Sequence, residues 1–253
     1  MPPKKIALLI GINYLHTSAQ LSGCLTDVAK IKALLKRRCH FAENEIRVLT
    51  NGQATRQAIL RELGRLQSFD QIFFHYSGHG SYVRDVSGDE RDHKDEVIVP
   101  NDYKTHGMIT DDQLHRCLVA LPATTQGIFM FDACHSGTVL DLRYRYVPER
   151  KSIVENRKSK VAARVVMVSG CHDAQVSMEA VLAGKSAGAM TWAFISALEN
   201  VKSTIQLAKL ITKMRQLLRK NGFDQTPHLS GSRKLFSKYE FLVSTATIDY
   251  LKP

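Results

Sequence analysis

The fold is decided by two stretches of sequence, QIFFHYSGHG at residues 71–80 and QGIFMFDACHSG at residues 126–137. Each contains a short apolar run, rich in aromatic residues, of the kind that predicts a buried strand. Each run then gives way to polar residues and glycine, which include His79 in the first stretch and Cys134 in the second. Because functional sites in parallel sheets lie beyond the carboxyl ends of the strands, the pattern predicts a site where these two strands end.

Apolar runs and helical patterns alternate along the rest of the chain. The predicted strands are Lys5–Ile12, Glu45–Leu49, Gln71–Tyr76, Glu96–Val99, Gly127–Phe131, Arg164–Val168 and Tyr239–Val243. The predicted helices are Thr26–Arg38, Ala54–Leu66, Asp111–Leu121, Ala187–Leu198 and Thr204–Lys220. Thr110 is a predicted N-cap for the third of these helices. The alternation predicts an α/β fold in which a mostly parallel sheet is flanked by helices on both faces.

The segment between the two halves of the pattern differs in character from both. No clear apolar period runs from about Gly137 to Ala163, and this segment is basic. We therefore predict a single domain over residues 1–253, made of a region at about 1–140, a basic linker at 141–163 and a second region at 164–253.

Composition excludes several classes of protein. Apolar residues make up 44% of the 253 residues and charged residues 23%, so the chain can bury a normal core and is not a disordered protein. The apolar run that begins at Ile6 is too short for a membrane span, and no signal peptide is recognised, so we expect the cytosol or nucleus and no membrane partner. The cysteines number five, an odd count that favours reduced thiols. The net charge of +11 would suit a nucleic-acid binder, but no nucleic-acid motif supports that alternative, and solvated basic faces are the preferred interpretation.

Cys134 and His79 form the candidate catalytic pair. A cysteine peptidase needs a thiolate nucleophile and an imidazole that takes up and returns a proton. Either residue alone would be interpreted as structural, whereas the two at the ends of two strands of one sheet indicate catalysis. The backbone N–H groups of Gly80 and Cys134 are candidates for the oxyanion hole. No third member of a triad is evident, so a Cys-His dyad is predicted.

The motifs His75–Gly80 and Asp132–Gly137 resemble the two catalytic motifs of metacaspases, the caspase relatives of plants, fungi, protists and bacteria. The 55 residues from His79 to Cys134 agree with the roughly 50-residue spacing in caspases. Further matches are Gly11–Tyr14, Leu21–Cys24 with Asp27, Asp95 and Glu96 before Pro100, Ile109–Asp112, Ser169–Cys171 with Asp173, Gln175 and Ser177, and Gln225–Leu229. The resemblance implies the caspase–haemoglobinase fold, a monomeric cysteine endopeptidase and protein or peptide substrates.

The pocket for the substrate residue before the cut is predicted to be acidic. Caspases, which cleave after aspartate, carry glutamine two residues before the nucleophile, where this chain has Asp132. A carboxylate there repels an acidic side chain and attracts Arg or Lys. The resemblance adds Asp27 as a second pocket carboxylate, with Ser77 and Cys24 as pocket walls. The alternative is that Asp27 stabilises a helix start and Asp132 forms a turn.

The resemblance to calcium-activated metacaspases implies a calcium site. It selects Asp95, Asp111, Asp112 and Asp141 as the ligands, and carboxylate oxygens are ligands that calcium prefers. No EF-hand pattern is present, and the neighbouring loop at 87–93 is less acidic than the family's usual loop. The alternative is that Asp111 and Asp112 only stabilise the start of a helix and that Asp95 only stabilises a loop.

The basic linker suggests self-processing. An enzyme that cuts after Arg or Lys can cut exposed sites in its own chain, and the stretch from Arg143 to Lys160 offers several. The hypothesis is that calcium at Asp141 reorders this linker, opens the cleft and permits self-cleavage; a disordered connector without a regulatory role is the alternative. Three other functions stay open, namely a catalytically silent adaptor of the same fold, a legumain-like or separase-like protease, and a nucleic-acid binder.

Overall fold

The computed structural model of the chain describes residues 2–84, 94–134, 136–147, 152–170, 179–182, 185–223, 225–234 and 240–249. Within these ranges the helices are α1 (Cys24–Arg38), α2 (Arg56–Arg65), α3 (Tyr103–His106), α4 (Asp111–Val119), α5 (Ala189–Leu198) and α6 (Leu207–Lys220). The first eight strands are β1 (Lys5–Gly11), β2 (Ile46–Thr50), β3 (Gln71–Ser77), β4 (Gly80–Arg84), β5 (Lys94–Ile98), β6 (Ile109–Thr110), β7 (Gln126–Asp132) and β8 (Tyr144–Val147). The others are β9 (Ser152–Glu155), β10 (Arg164–Ser169), β11 (Glu179–Leu182), β12 (Lys185–Gly188), β13 (Thr204–Gln206), β14 (His228–Gly231), β15 (Glu240–Leu242) and β16 (Thr247–Asp249).

The central sheet has eight strands in the order β2-β1-β3-β7-β10-β14-β8-β9. The first five strands are parallel to one another, and β14, β8 and β9 add to them as an antiparallel extension. Three smaller sheets lie beside it, formed by β4, β5 and β6, by β11 and β12, and by β13, β15 and β16. The mostly parallel sheet predicted from the sequence is confirmed.

Helices cover both faces of the sheet. The side chains of each strand alternate between these faces, so a strand contributes to two hydrophobic cores. In β3, Phe73 packs with α1, α5 and α6, whereas Ile72, Phe74 and Tyr76 pack with α2 and α4 on the other face. The residues of β1 divide in the same way between the two cores. Both faces of β3 are therefore buried, which is why its residues do not alternate between apolar and polar side chains.

The predicted helices are present with small shifts at their ends. Helix α1 begins two residues earlier than predicted, at Cys24, and α2 begins after Thr55, whose side chain accepts a hydrogen bond from the Ala58 N–H. The predicted N-cap of α4 is confirmed, because the Thr110 hydroxyl oxygen accepts a hydrogen bond from the Gln113 N–H. In return, the Gln113 side-chain oxygen accepts one from the Thr110 N–H, which completes a capping box. No helix among the parts of the chain placed here is long and apolar enough to span a bilayer.

The second half of the chain departs further from prediction. The linker, where the sequence shows no apolar period, contributes β8 and β9 as a hairpin on the edge of the central sheet, so the alternative of a disordered connector is wrong for these strands. Strand β14 was not predicted, and the start of the predicted helix at Thr204 is instead β13. These strands have only three or four residues, too few to show a period of two. The predicted last strand is present as β15, although Tyr239 lies outside the described residues.

Candidate active site

The two strand ends that carry the catalytic candidates are neighbours. Strands β3 and β7 run parallel and directly pair, with Ser77 opposite Asp132 as the last pair of the register. His79 and Cys134 each follow this last pair by two residues, so both leave the sheet at the same edge. Paired strands lie about 4.8 Å apart, and the topology therefore places the backbones of His79 and Cys134 at the same end of two adjacent strands.

The backbone of Gly80 lies against that of Cys134. A Cβ on Gly80 would overlap the carbonyl oxygen of Cys134 and would lie 3.3 Å from the Cβ of Ala133. A glycine is therefore required at position 80, because the carbonyl of Cys134 passes so close to it. The two residues proposed for the oxyanion hole are thus in direct contact.

The imidazole of His79 has an orienting partner that the sequence analysis missed. Its Nε2 lies 2.7 Å from the carbonyl oxygen of Ala19, in the loop that follows β1. A carbonyl can only accept, so Nε2 carries the proton and Nδ1 is left as the basic nitrogen. A backbone carbonyl has no sequence signature, which explains why only a dyad could be predicted. The hydrogen bond to Ala19 O thus orients the His79 ring.

Cys134 differs from the other described cysteines in its surroundings. Its residue is partly exposed at the sheet edge, whereas Cys24 and Cys39 are buried, and none of the four cysteines in the described ranges forms a disulfide. Burial raises the pKa of the Cys39 thiol to about 12 and also raises the pKa of the Cys117 thiol. Those two thiols therefore stay protonated and unreactive near neutral pH.

Asp27 is fully buried at the centre of the predicted substrate pocket. Its residue is 0% exposed, and its Oδ2 accepts a hydrogen bond of 2.7 Å from the Ser77 hydroxyl. The N–H of Gly188 donates to both carboxylate oxygens at 3.0 Å. Burial, and then the charge of Asp132, raise the pKa of Asp27 well above its usual range. The structure therefore brings Asp27 and Ser77 together as predicted.

Asp132 lies beside Asp27 at the start of helix α5. Its Oδ2 accepts a hydrogen bond of 2.7 Å from the Thr191 N–H, and its residue is 4% exposed. A Cβ on Gly188 would overlap Asp132 Oδ2 and would lie 2.7 Å from Asp27 Oδ2, so both carboxylates converge on this glycine. Asp132 thus caps the N-terminus of α5, where the helix dipole favours negative charge.

His75, in β3, contacts the start of α5 beside Asp132. Its Nε2 shares a hydrogen bond of 3.0 Å with the Thr191 hydroxyl, and burial lowers the pKa of the imidazole to about 3. His75 is therefore neutral and connects β3 to Thr191, the residue whose N–H binds Asp132. Cys24, the fourth predicted pocket residue, is 4% exposed and lies one helical turn before Asp27 in α1.

Three of the predicted calcium ligands lie close together. Asp95 is in β5, and Asp111 and Asp112 are the first residues of α4, which follows β6. Because β5 and β6 pair, the Glu96 N–H donates to Asp111 Oδ2 at 2.8 Å, and the Asp112 N–H donates to Asp111 Oδ1 at 2.7 Å. Asp95 and Asp111 are buried, and burial raises the pKa of Asp111. Asp111 also occupies the helix start, so its position agrees with both alternatives.

Asp141 lies in a segment held against these elements. The Thr138 hydroxyl donates to Glu96 Oε1 at 2.7 Å, and His115 Nδ1 of α4 lies 3.0 Å from the Leu140 carbonyl oxygen. Asp141 itself has a left-handed backbone with φ of 45°. The donors have the carboxylate chemistry that calcium requires. Within the described ranges, however, no three His, Cys, Asp or Glu side chains are arranged to hold a metal ion.

Several residues of interest lie outside the described ranges. They are His135, Cys171, Asp173, Gln175, Ser177 and the acidic loop at 85–93.

Comparison with known proteins identifies the family. Residues 4–237 match the family model of the caspase domain. A metacaspase-1 from Cryptococcus neoformans is 34% identical over 94% of this chain, and a metacaspase-1B from Neurospora crassa is also 34% identical over 94%. The chain spans 65% and 68% of the lengths of these two relatives.

Solved structures agree with the architecture. A protein from Geobacter sulfurreducens with 26% identity superposes with a TM-score of 0.69 and covers 93% of this chain and 97% of its own. Caspase-1 from Spodoptera frugiperda, at 13% identity, has a TM-score of 0.60 over 90% of this chain and 86% of its own, which shows the shared fold. The fold, the matched family model and the fungal relatives agree, and the chain belongs to the caspase domain family, within which it is a metacaspase.

Proposed function

We propose that this protein is a calcium-activated cysteine endopeptidase that hydrolyses peptide bonds after Arg or Lys, with Cys134 as nucleophile and His79 as its base. The observation that carries the proposal is the register of β3 and β7, which pairs Ser77 with Asp132 and so places the two catalytic candidates at equivalent positions on adjacent strand ends. The metacaspase names of the relatives support it.

The reaction follows from the chemistry of the two side chains. The Cys134 thiolate attacks the carbonyl carbon of the scissile peptide, and the resulting oxyanion accepts hydrogen bonds from the backbone N–H groups of Gly80 and Cys134. The C–N bond then breaks, and protonated His79 gives its proton to the leaving amine. The thioester that remains is attacked by water, whose proton returns to His79 as the carboxylic acid product and the thiolate separate.

Ala19 makes this cycle workable. Since its carbonyl oxygen holds the Nε2 proton at 2.7 Å, proton transfer uses Nδ1, and the same bond stabilises the imidazolium that forms when both nitrogens are protonated. His79 therefore keeps one ring orientation in both of its protonation states.

Specificity for a cationic side chain rests on Asp27 and Asp132. The two carboxyl groups that converge on Gly188 form an acidic floor, which attracts a guanidinium or ammonium group and repels an aspartate. In the structure this charge is compensated by the N–H groups of Gly188 and Thr191, and both carboxylates are covered. An incoming Arg or Lys must therefore displace part of the start of α5 from the carboxylates.

The proposed calcium ligands are Asp95, Asp111, Asp112 and Asp141, whose oxygens have the hardness that calcium needs, although these described side chains are not arranged in the structure to hold an ion. When bound, the ion would neutralise these carboxylates and fix the segment that leads from the nucleophile to β8. The hydrogen bond of Thr138 to Glu96 already links that segment to β5. We also propose that activated enzyme cleaves its own basic linker.

A panel of fluorogenic peptides ending in Arg, Lys, Asp or Asn, each with and without calcium, tests the proposal. We expect turnover of the Arg and Lys peptides only, stimulation by calcium, and loss of all turnover in Cys134→Ala. Cys117→Ala is the matched control, because this thiol is half-buried and remote from the site, and it should retain activity. Turnover of the Asp peptide alone would refute the pocket assignment. A folded protein that turns over none of the peptides would favour the silent adaptor.

A further inference from the structure

Two buried tyrosines beside His79 have no role in the mechanism described so far. Tyr14 follows β1 and Tyr76 is the penultimate residue of β3; their residues are 2% and 0% exposed. Neither can touch a substrate from these positions. Their hydroxyl groups nevertheless point to the same place, since the two oxygens lie 3.1 Å apart.

Both hydroxyls bind the main chain of the proposed base. The N–H of His79 donates to Tyr14 Oη at 3.0 Å, and Tyr76 Oη donates to the His79 carbonyl oxygen at 2.7 Å. The two backbone polar groups of this one residue are thus each held by a phenol. The dihedral angles on both sides of its Cα are therefore restrained by groups from two different segments, the loop after β1 and strand β3.

The same hydroxyls bind Val99, which follows β5. Tyr14 Oη donates to the Val99 carbonyl oxygen at 2.7 Å, and the Val99 N–H donates to Tyr76 Oη at 3.1 Å. Each phenol has one hydrogen, and its shortest contact to a carbonyl is 2.7 Å in both cases. Assigning the hydrogens to these contacts leaves each oxygen to accept one amide, so the network is closed and fully satisfied.

Tyr14 is held firmly in its place. Its backbone has φ of 49°, a left-handed conformation that is unfavourable for a non-glycine residue and persists only where surrounding contacts fix it. Its ring lies 4.7 Å from the His79 ring, centroid to centroid, at an interplanar angle of 39°. Burial raises the pKa values of both Tyr14 and Tyr76, so both phenols keep the hydrogens that the network requires.

A buried phenol usually finds some partner, so satisfaction alone would not indicate a role. Here, however, the partners are the two main-chain groups of the base itself, and Ala19 holds the far end of the same residue. We infer that Tyr14 and Tyr76 are positioning residues, which fix the main chain of His79 so that Nδ1 faces the thiol of Cys134. The inference rests on the proposed function and adds to it two residues that act through His79.

The test compares Tyr14→Phe and Tyr76→Phe with Thr125→Val. Thr125 is 1% exposed and donates a hydrogen bond of 3.0 Å to the Phe69 carbonyl oxygen, at the end of β7 remote from Cys134. All three variants lose one buried hydroxyl. We expect kcat on an Arg peptide to fall about tenfold to 100-fold in each tyrosine variant, as misplacement of a catalytic group does, with KM changed by less than about twofold. Thr125→Val should leave both constants unchanged.

A second readout follows the thiol directly. Iodoacetamide labelling of Cys134, measured by peptide mass spectrometry across pH, reports how well His79 stabilises the thiolate. We expect the labelling profile to move to higher pH in the tyrosine variants and not in Thr125→Val. Wild-type kcat and labelling profiles in both tyrosine variants would overturn the inference.

The two proposals fail in distinguishable ways. If the wild type hydrolyses no peptide, the proposed function fails, while the labelling profile still decides whether the tyrosines position His79 against the thiol. If a tyrosine variant does not fold, hydrogen exchange of the wild type decides, since the His79 and Val99 amides must exchange as slowly as those within β3. Fast exchange of these two amides would refute the network.

Discussion

Neutralising Asp132 separates the charge of this carboxylate from its role at the start of α5. In the structure the Thr191 N–H donates to Asp132 Oδ2 at 2.7 Å. In Asp132→Asn the side-chain oxygen can still accept this hydrogen bond, whereas the negative charge is lost. If Asp132 recognises a cationic substrate, activity toward Arg falls. If Asp132 only caps the helix, the change in kcat/KM, expressed as a free energy, should be no larger than the change in the free energy of unfolding.

The expected size of the effect follows from the buried setting. A hydrogen bond that involves a charged group contributes about 1.5–3 kcal/mol, and each 1.4 kcal/mol corresponds to a factor of about ten in rate. We therefore expect kcat/KM for an Arg peptide to fall by about 10-fold to 150-fold. Stability should change little. Loss of the favourable interaction with the helix dipole, about 0.3–1 kcal/mol, is offset because Asp132 no longer repels the buried Asp27.

The assay measures kcat/KM for peptides ending in Arg and in citrulline, its neutral isostere, alongside urea unfolding. Asp102→Asn is the matched control, because Asp102 Oδ1 accepts the Arg56 N–H at 2.7 Å at the start of α2, away from the site. The Asp132 variant should lose activity on the Arg peptide and none on the citrulline peptide, whereas the control should change neither. An equal loss on both peptides would refute charge recognition by Asp132.

Three further results are expected. Gly80→Ala should abolish activity, because its Cβ would overlap the carbonyl oxygen of Cys134. The control Gly64→Ala, where a Cβ has open space, should retain activity and unfold at an equal or higher urea concentration. An active Gly80→Ala enzyme would contradict the packing. Buried His75 has a pKa of about 3 instead of 6.5, so its contribution to stability is present above pH 6.5 and is lost as pH falls toward 3; His75→Gln should flatten this acid limb in unfolding experiments, and parallel curves would argue against it. Calcium-induced fragments, identified by mass spectrometry, should end at Arg157, which lies beyond β9 and has a side chain that is 86% exposed. Arg145 is paired on both sides within β8, so a main cut after Arg145 would contradict the sheet.

The first half of the fold could be predicted because its signals are local and strong. Strands β1, β3 and β7 are each seven residues long and buried on both faces, so they read as continuous apolar runs. The polar residues that follow them mark the site edge. The register that pairs Ser77 with Asp132 is not visible in sequence, yet the pairing it produces is the one that the catalytic hypothesis requires.

The second half was predicted less well for a physical reason. Strands β8 and β9 are short and partly exposed, and β8 joins the central sheet by pairing with the edge that β14 offers. Their stability is therefore tertiary and leaves no periodic signal. The carbonyl of Ala19 likewise leaves no signal in the sequence, since any residue type can supply a main-chain acceptor that orients His79.

The alternatives to a substrate pocket were a helix start for Asp27 and a turn for Asp132; in the structure both carboxylates bind amides at the start of α5, and sequence could not choose between this role and the pocket. Both roles require a buried carboxylate at these positions, because the amide groups of Gly188 and Thr191 and an incoming cation seek the same oxygens. The two roles then become successive states of one site, with the amides compensating the charge until a substrate displaces them. On this view a guanidinium, with five donors in a fixed plane, replaces the departing amides more completely than an ammonium group can. Under the proposed function, the charge that stabilises α5 in the free protein is also the charge that selects the substrate.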